Sequence, residues 1–270
     1  MPSDWLLLAA LRQATEPLAG QWRHWSEVLA GRADRYGVEP SAPAQSAAKL
    51  FQGNAVRDLL ELGAGQGRDS LYLAQLGFDV HALDFTDSGV EAIRGRAREA
   101  TLDGSLRASV HDCCDPLPFE DASFDACYSH MLYCMALTTP QLERLSAEVH
   151  RVLRPGGLHV YTARVTADPD YGTGVAHGDD MYESNGFIVH FFSRELVKRL
   201  ARGFTLIEVA EFEEGDLPRR LFRVTQRKQA PLRAIRLDWR STALRPLTLL
   251  ASTTQAGPVL TRCRQRMPLS

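Results

Sequence analysis

The sequence predicts an α/β fold: a doubly wound, mostly parallel, seven-stranded sheet of the Rossmann-like type, with an antiparallel hairpin at its edge. Three observations lead to this prediction. Short apolar runs alternate with helical patterns, and consecutive βα units of this kind build parallel sheets. A glycine-rich turn, Gly63-Ala64-Gly65-Gln66-Gly67, follows the first apolar run. Two alternating segments, at 205–212 and 221–226, lie on either side of a short loop and predict the hairpin.

The helices are predicted from apolar spacing and capping residues. Helical spacing of tryptophans and aliphatic residues indicates a first helix near 21–33, and another is expected at 42–52. Helices at 68–76 and 88–99 follow the first two strands, and Gly77 has the place of a C-cap glycine. Thr139 and Pro140 have the residue types of an N-cap and a first turn. Ser193 is the expected N-cap of a last helix, which ends near 201.

The parallel strands are expected where apolar runs are bounded by turns, at 59–62, 80–83, 105–111, 123–130 and 158–164. From 165 to 192 the periodicity disappears, which favours an irregular insertion or lid. The predicted organisation is therefore an N-terminal helical cap at 1–52, a main domain at 53–228 and a basic tail at 229–270.

Composition restricts the class of protein. A net charge of −2 and a charged fraction of 24% give no reason to expect nucleic acid or an anionic membrane as the main partner. The five cysteines lack the C-x-x-C spacing of a zinc site, and no secretory signal or apolar spanning segment is recognisable. We therefore expect a cytoplasmic protein with reduced thiols that acts on a small molecule. The oligomeric state stays open.

The segment from Asp58 to Asp84 has the layout of a nucleotide-type cofactor site: strand, glycine turn, helix, strand, acid. Glycines allow the backbone of the turn to approach a cofactor closely, and Asp84 is placed to accept hydrogen bonds from ribose hydroxyls. The dinucleotide fingerprint requires a glycine at the sixth position of its motif, where this chain has Arg68. The turn instead has the pattern E-x-G-x-G-x-G.

That pattern resembles motif I of the class I S-adenosylmethionine (SAM) methyltransferases. The resemblance to this family extends to His111-Asp112 at a strand end and to Phe124-Asp125 at a strand start. It also includes Arg154-Pro155-Gly156-Gly157 before a strand, and this last segment is a signature of small-molecule members. The run Gly67–Leu73, the Phe192-Ser193 helix start and the segment 213–220 are similar to the TehB (tellurite-resistance) type. The resemblance covers roughly residues 20–228.

The resemblance implies roles for individual residues. Glu61 and the turn with Gly63, Gly65 and Gly67 hold the methionine end of SAM, and Arg68 assists its carboxylate. Asp84 binds the ribose hydroxyls. The adenine is bound by Asp112 and by the backbone NH of Cys113, and Ser129 and His130 line the transfer region. Trp25 and Tyr36 are candidates for an aromatic cover and for substrate contact. The alternative for Asp84 is a helix N-cap, and for Trp25 it is core packing.

The acceptor side is less defined, because the sulfonium of SAM already activates its methyl group and a general base is optional. Candidate catalytic residues are His130, Tyr133 and His190. His177 is a further candidate, Tyr182 is a candidate for substrate contact, and Arg219 is a candidate for binding an anionic substrate. No metal cofactor is expected. Thiolates are soft ligands, so Cys113 and Cys114 with Cys127 or Cys134 are an alternative site for a metalloid.

The predicted function is methyl transfer from SAM to an oxygen, nitrogen, sulfur or chalcogen atom of a small molecule. Two other functions stay open. A SAM-binding regulator without catalysis fits the same cofactor residues, and a nicotinamide-dependent oxidoreductase shares the general layout but conflicts with Arg68. A nucleic-acid methyltransferase is less favoured, because Ser129-His130-Met131-Leu132 is unlike the N/D-P-P-Y tetrapeptide.

Overall fold

The structure is a computed structural model that describes residues 37–215 and 219–230, and before them residues 20, 21, 23–25, 27, 28 and 31. Predictions for Tyr36, for most of the N-terminal segment and for the tail beyond 230 lie outside the described residues. Within the described ranges, no helix has both the length and the apolar character needed to cross a membrane.

Seven strands form the central sheet in the order β3-β2-β1-β4-β5-β10-β9. Their bounds are β1 Asp58–Leu62, β2 Asp79–Asp84, β3 Leu106–Val110, β4 Phe124–Ser129, β5 Leu153–Arg164, β9 Phe204–Glu214 and β10 Arg219–Lys228. The pairings from β3 to β5 are parallel, whereas β10 is antiparallel to both β5 and β9. The predicted mostly parallel sheet with an antiparallel edge hairpin is confirmed.

Between residues 37 and 230, five helices of the described chain cover the two faces of this sheet. Their bounds are α1 Ala42–Gly53, α2 Arg68–Gln75, α3 Asp87–Glu99, α4 Thr139–Val152 and α5 Arg194–Leu200. Apolar side chains of α1, α2 and α3 pack on one face together with Leu59 of β1. Those of α4 and α5 pack on the other face with Leu60 and Leu62. Residues alternate between faces along a strand, which is why a continuous apolar run serves both layers.

The helix starts follow the expected capping chemistry with one correction. Ser41, Thr86 and Ser193 each accept a hydrogen bond from a backbone NH in the first turn of the helix that follows. At α4 the cap is Thr138 and not Thr139, because Thr138 forms a capping box with the side chain of Gln141. Pro140 lies in the first turn, as predicted.

The segment 165–192 is more regular than predicted. It contains a separate three-stranded antiparallel sheet of β6 Val175–Gly178, β7 Met181–Ser184 and β8 Phe187–His190. Each of these strands has only four residues, so an alternation of apolar and polar residues is too short to recognise in the sequence. The tight turns between the strands contain positive φ angles at Asp179, Asp180 and Asn185. The N-terminal segment contacts this sheet through Trp25, whose ring lies 4.9 Å from that of Phe187.

Candidate cofactor and methyl-transfer site

The predicted cofactor residues lie at the carboxyl ends of β1, β2, β3 and β4, which are neighbours in the sheet. The glycine turn leaves β1 with positive φ angles of 69° at Gly63, 56° at Gly65 and 82° at Gly67. The amide of Gly63 donates to the carbonyl of Leu83, which fixes the turn beside the end of β2. This edge is where open α/β sheets bind their ligands.

The three glycines have different surroundings. A Cβ on Gly65 would meet no heavy atom within 4 Å, so this part of the turn faces open space. A Cβ on Gly63 would lie 2.9 Å from Cβ of Leu132, and one on Gly67 would lie 2.5 Å from Cγ1 of Ile93. Gly67 therefore permits close packing of α3 against the turn. The backbone at Gly65 is the part of the turn most open to a ligand.

The carboxylate of Asp84 connects the second strand to this turn. Its Oδ2 accepts a 2.7 Å hydrogen bond from the amide of Gly65, and its Oδ1 accepts from the amide and hydroxyl of Thr86. The side chain is buried, and burial raises the pKa of Asp84, although the hydrogen bonds from Thr86 and Gly65 oppose that shift. The N-cap of α3 is Thr86, so the N-cap alternative for Asp84 is wrong.

Gly89, in the first turn of α3, was missed by the sequence reasoning. A Cβ there would lie 2.5 Å from the carbonyl oxygen of Gly65 and 3.3 Å from Oδ1 of Asp84. A side chain at this position would displace the cofactor turn. The sequence feature that could have identified Gly89 is its position three residues after the helix cap Thr86.

Glu61 lies beneath the turn on the face covered by α1, α2 and α3. Its Oε2 accepts a 2.5 Å hydrogen bond from the hydroxyl of Ser70 in α2. Burial raises the pKa of Glu61 to about 8, and the nearby charge of Asp69 acts in the same direction. When no cation is bound beside it, the carboxyl of Glu61 is therefore mostly protonated at neutral pH.

A buried hydrogen-bond network supports α2, and sequence reasoning did not identify it. Asp69 accepts from the amide of Ser41 at 2.8 Å, from its hydroxyl at 2.7 Å and from the hydroxyl of Tyr128 at 3.1 Å. Ser41 is the N-cap of α1, so one carboxylate connects α1, α2 and β4 below the turn. Arg68 extends from the same helix start, with Nε 3.6 Å from Oδ1 of Asp69.

The turn after β3 contains Asp112 and Cys113. The amide of His111 donates to the carbonyl of Asp84 at 2.8 Å, which sets this turn next to the ribose candidate. Asp112 is exposed, and its Oδ1 accepts from the amide of Cys114 at 2.9 Å. Cys113 is half-buried. Both residues therefore lie beside the end of β2, close to Asp84.

The end of β4 contains a polar cluster around His130. The ring Nδ1 of His130 lies 2.8 Å from the hydroxyl of Thr162 on β5, and Nε2 lies 3.2 Å from Oε2 of Glu214. Glu214 ends β9, which runs parallel to β4 and so ends at the same edge. Burial opposes ionisation of Glu214, but its hydrogen bond to His130 and the positive charges nearby hold its pKa below the usual range. Ser129 is buried, and its hydroxyl donates to the carbonyl of Leu62.

Not every candidate lies at this edge. Tyr133 is fully buried in the apolar core, where its ring stacks on Tyr161 at 4.3 Å. The prediction that Tyr133 is a catalytic residue is therefore wrong, because its fully buried ring is out of reach of a ligand. His190 is also buried, and its Nδ1 lies 2.6 Å from the carbonyl of Leu137.

The remaining candidates lie on the segment 165–192 and the edge hairpin. Tyr182 packs beside the ring of Tyr171, and Nε2 of His177 lies 2.8 Å from Oε2 of Glu183. Arg219 is exposed at the start of β10, paired in register with Glu214.

The residues at this edge fit SAM. The open face of Gly65 accommodates a cofactor close to the backbone, and the buried carboxylate of Asp84 has acceptor capacity for ribose hydroxyls. The His130–Glu214 pair adds a polar group at the end of β4, where the transferred methyl group is expected.

Comparison with known proteins agrees with this geometry. Residues 59–157 match the family model of a methyltransferase domain. The chain is 34% identical over 148 residues to 24-methylenesterol C-methyltransferase 2 of Oryza sativa subsp. japonica, covering 54% of this chain and 39% of that protein. It spans about two fifths of the length of this and two further curated relatives.

Two solved structures show the same fold. TehB from Haemophilus influenzae superposes with a TM-score of 0.56 at 18% identity, covering 70% of this chain and 62% of that chain. The 1,6-didemethyltoxoflavin-N1-methyltransferase of Burkholderia thailandensis, with bound S-adenosylhomocysteine, also gives 0.56 at 18% identity, covering 70% and 79%. Residues 59–157 are therefore a methyltransferase domain, and the fold around them is the one that these two solved structures share.

Proposed function

We propose that this protein transfers a methyl group from SAM to an oxygen, nitrogen, sulfur or chalcogen atom of a small molecule. The observation that supports it most is the pairing of the open turn at Gly65 with the buried carboxylate of Asp84 across a 2.7 Å hydrogen bond. The match of residues 59–157 to a methyltransferase domain favours SAM over a nicotinamide nucleotide.

In this proposal each part of the cofactor is bound at one strand end. Asp84 accepts from the ribose hydroxyls, and Asp112 with the NH of Cys113 binds the adenine. The backbone from Gly63 to Gly67 holds the methionine end, with Glu61 and Arg68 beside it and the backbone of Ser129 opposite. When bound, SAM supplies a methyl group that is already electrophilic because its sulfur is a sulfonium.

His130 and Glu214 orient the acceptor. His130 is fixed by Thr162 on one side and by Glu214 on the other, and its side chain is only 12% exposed, whereas that of Glu214 is 29% exposed. The carboxylate of Glu214 is therefore the more accessible of the two, and it accepts a hydrogen bond from an acceptor OH or NH. Alignment of that atom with the S–CH₃ bond contributes most to catalysis.

Trp25 and the three-stranded sheet are proposed to bound the acceptor region. The ring of Trp25 packs against Phe187, and Tyr182 lies on the same small sheet, so aromatic side chains are available there for substrate contact. Arg219 lies beside Glu214 and is proposed to favour a substrate with an anionic group. The four described cysteines are free thiols, which supports the expected cytoplasmic compartment.

The test has two stages. Isothermal titration with SAM, S-adenosylhomocysteine and NAD measures which cofactor binds, and we expect the first two to bind and NAD not to. Methyl-labelled SAM is then incubated with a panel of thiols, phenols, amines and oxyanions. Binding of SAM without transfer to any acceptor would favour the regulator, and binding of NAD alone would favour the oxidoreductase.

A further inference from the structure

A cluster of three metal-ligating side chains, those of Asp112, Cys113 and Cys114, lies in the turn after β3, where Asp112 and the backbone of Cys113 are also proposed to bind adenine. The Sγ atoms of Cys113 and Cys114 and a carboxylate oxygen of Asp112 all lie within 4.8 Å of one another. The turn is closed by a 2.9 Å hydrogen bond from the amide of Asp115 to the carbonyl of Asp112. Two thiols and a carboxylate are thus held together by the backbone of four consecutive residues.

Cys113 and Cys114 pack against the edge of the apolar core and also line a groove. Its volume is about 230 Å³, and Cys113, Cys114 and Asp115 line one side of it. The opposite wall is α4, which contributes Arg144 and Glu148. From the same helix, the side-chain Nε2 of Gln141 donates a hydrogen bond to Sγ of Cys114 at 3.3 Å.

The other described cysteines do not belong to this cluster. Cys127 and Cys134 are fully buried among apolar side chains, and the thiol of Cys134 contacts the carbonyl of Met131. The structure therefore replaces the thiol set considered from sequence: the third ligand beside Cys113 and Cys114 is the carboxylate of Asp112.

We propose that Asp112, Cys113 and Cys114 bind a soft, thiophilic divalent metal ion, and that the bound ion excludes the cofactor. Thiolates select soft ions, and sulfur with oxygen ligands suits Zn²⁺ or Cd²⁺. Ligand atoms of a tetrahedral zinc site lie roughly 3.3–3.8 Å apart for bonds of about 2.0–2.3 Å, so a small contraction of the turn is sufficient.

The binding step releases protons. Two S–H bonds break, two metal–sulfur bonds form, and both protons pass to the buffer, while the Asp112 carboxylate supplies the third bond and water the fourth. No electron is transferred. The exclusion of the cofactor rests on the proposed function, because Asp112 and Cys113 are the residues proposed to bind adenine. The metal site itself does not depend on it.

The test is a titration of the full chain with Cd²⁺ and Zn²⁺, carried out in a Cys263→Ser background to remove the thiol outside the described residues. Sulfur-to-cadmium charge-transfer absorption and calorimetry in two buffers of different ionisation enthalpy report thiolate binding and proton release. We expect one ion per chain, and at least a tenfold loss of affinity in Cys114→Ser and in Asp112→Asn. Asp115→Asn is the matched control and is expected to change affinity less than threefold.

Competition then tests the second half of the proposal. Saturating S-adenosylhomocysteine is expected to weaken Cd²⁺ binding at least tenfold, and Cd²⁺ to weaken binding of the nucleoside by the same factor. Cd²⁺ affinity that is equal in wild type and Cys114→Ser overturns the metal site. Simultaneous binding of both ligands overturns the exclusion alone, and metal binding without any nucleoside affinity contradicts the proposed function but not the metal site.

Discussion

The backbone amide of Gly65 donates a 2.7 Å hydrogen bond to Oδ2 of Asp84, so the glycine turn and the acid of the neighbouring strand form one unit. Asp84 has two functions in this arrangement. It orders the glycine turn through this hydrogen bond, and in the proposed function it also accepts hydrogen bonds from the ribose hydroxyls. A substitution of Asp84 therefore affects both the order of the turn and ribose binding, so the variants must distinguish these two effects.

Asp84→Asn keeps an oxygen that accepts from Thr86 or Gly65 but removes the charge. Hydrogen bonds to a charged group contribute about 1.5–3 kcal/mol, so we expect SAM to bind roughly 10- to 100-fold more weakly, measured by calorimetry. Asp87→Asn, at an exposed position of α3, is the control and should bind normally. Unchanged affinity in Asp84→Asn would place the ribose elsewhere.

Gly65→Ala and Gly67→Ala form a matched pair at neighbouring positive φ angles. Each introduces left-handed strain of about 1–2 kcal/mol, but only the new methyl group at 67 collides with Ile93. We expect Gly65→Ala to bind SAM more than tenfold more weakly and to lose only that strain from its free energy of unfolding, measured in urea. Gly67→Ala should be the less stable of the two by about 1–3 kcal/mol. The reverse order in urea would refute the packing role of Gly67.

Glu61→Gln is expected to stabilise the ligand-free protein at neutral and higher pH. The pKa of Glu61 is raised to about 8 from an ordinary 4.5, so keeping this carboxyl protonated in the folded state costs stability increasingly as pH rises from 4.5 to 8. The glutamine side chain avoids that cost and still accepts from Ser70. We expect a gain of roughly 2–4 kcal/mol at pH 7.5 that vanishes near pH 4, measured by denaturant unfolding.

The control for this prediction is Glu99→Gln, because Glu99 is exposed at the end of α3. Its unfolding free energy should follow that of the wild type across the pH range. If Glu61→Gln also follows the wild type, the buried carboxyl is not protonated as inferred here.

Glu214→Gln removes the charge from the pair with His130 and leaves the cofactor turn unchanged. We expect kcat to fall about 10- to 100-fold with the dissociation constant of SAM unchanged, once an acceptor is known. The pKa of Glu214 is held below its usual range, so in the wild type this carboxylate stays ionised into mildly acidic solution, and activity dependent on it is lost only at lower pH. Glu213→Gln, which affects only an exposed pair with Arg220, is the control. Equal kcat in both variants would exclude Glu214 from orienting the acceptor.

The sequence by itself determined the sheet, the helices around it and the position of the glycine turn after β1. These features depend on local signals: apolar runs, the cap Ser193, and glycines whose φ angles are positive in the turn. Asp84 and Asp112 were predictable because acids at the ends of neighbouring parallel strands must meet at one edge.

Only the tertiary structure decided which candidates face that edge. Tyr133 was removed because the core buries its ring, and Glu214 was added because β9, although distant in sequence, ends beside His130. The Ser41–Asp69–Tyr128 network joins three elements from separate parts of the chain, and contacts of that kind arise from packing between elements and not from the pattern within any one of them.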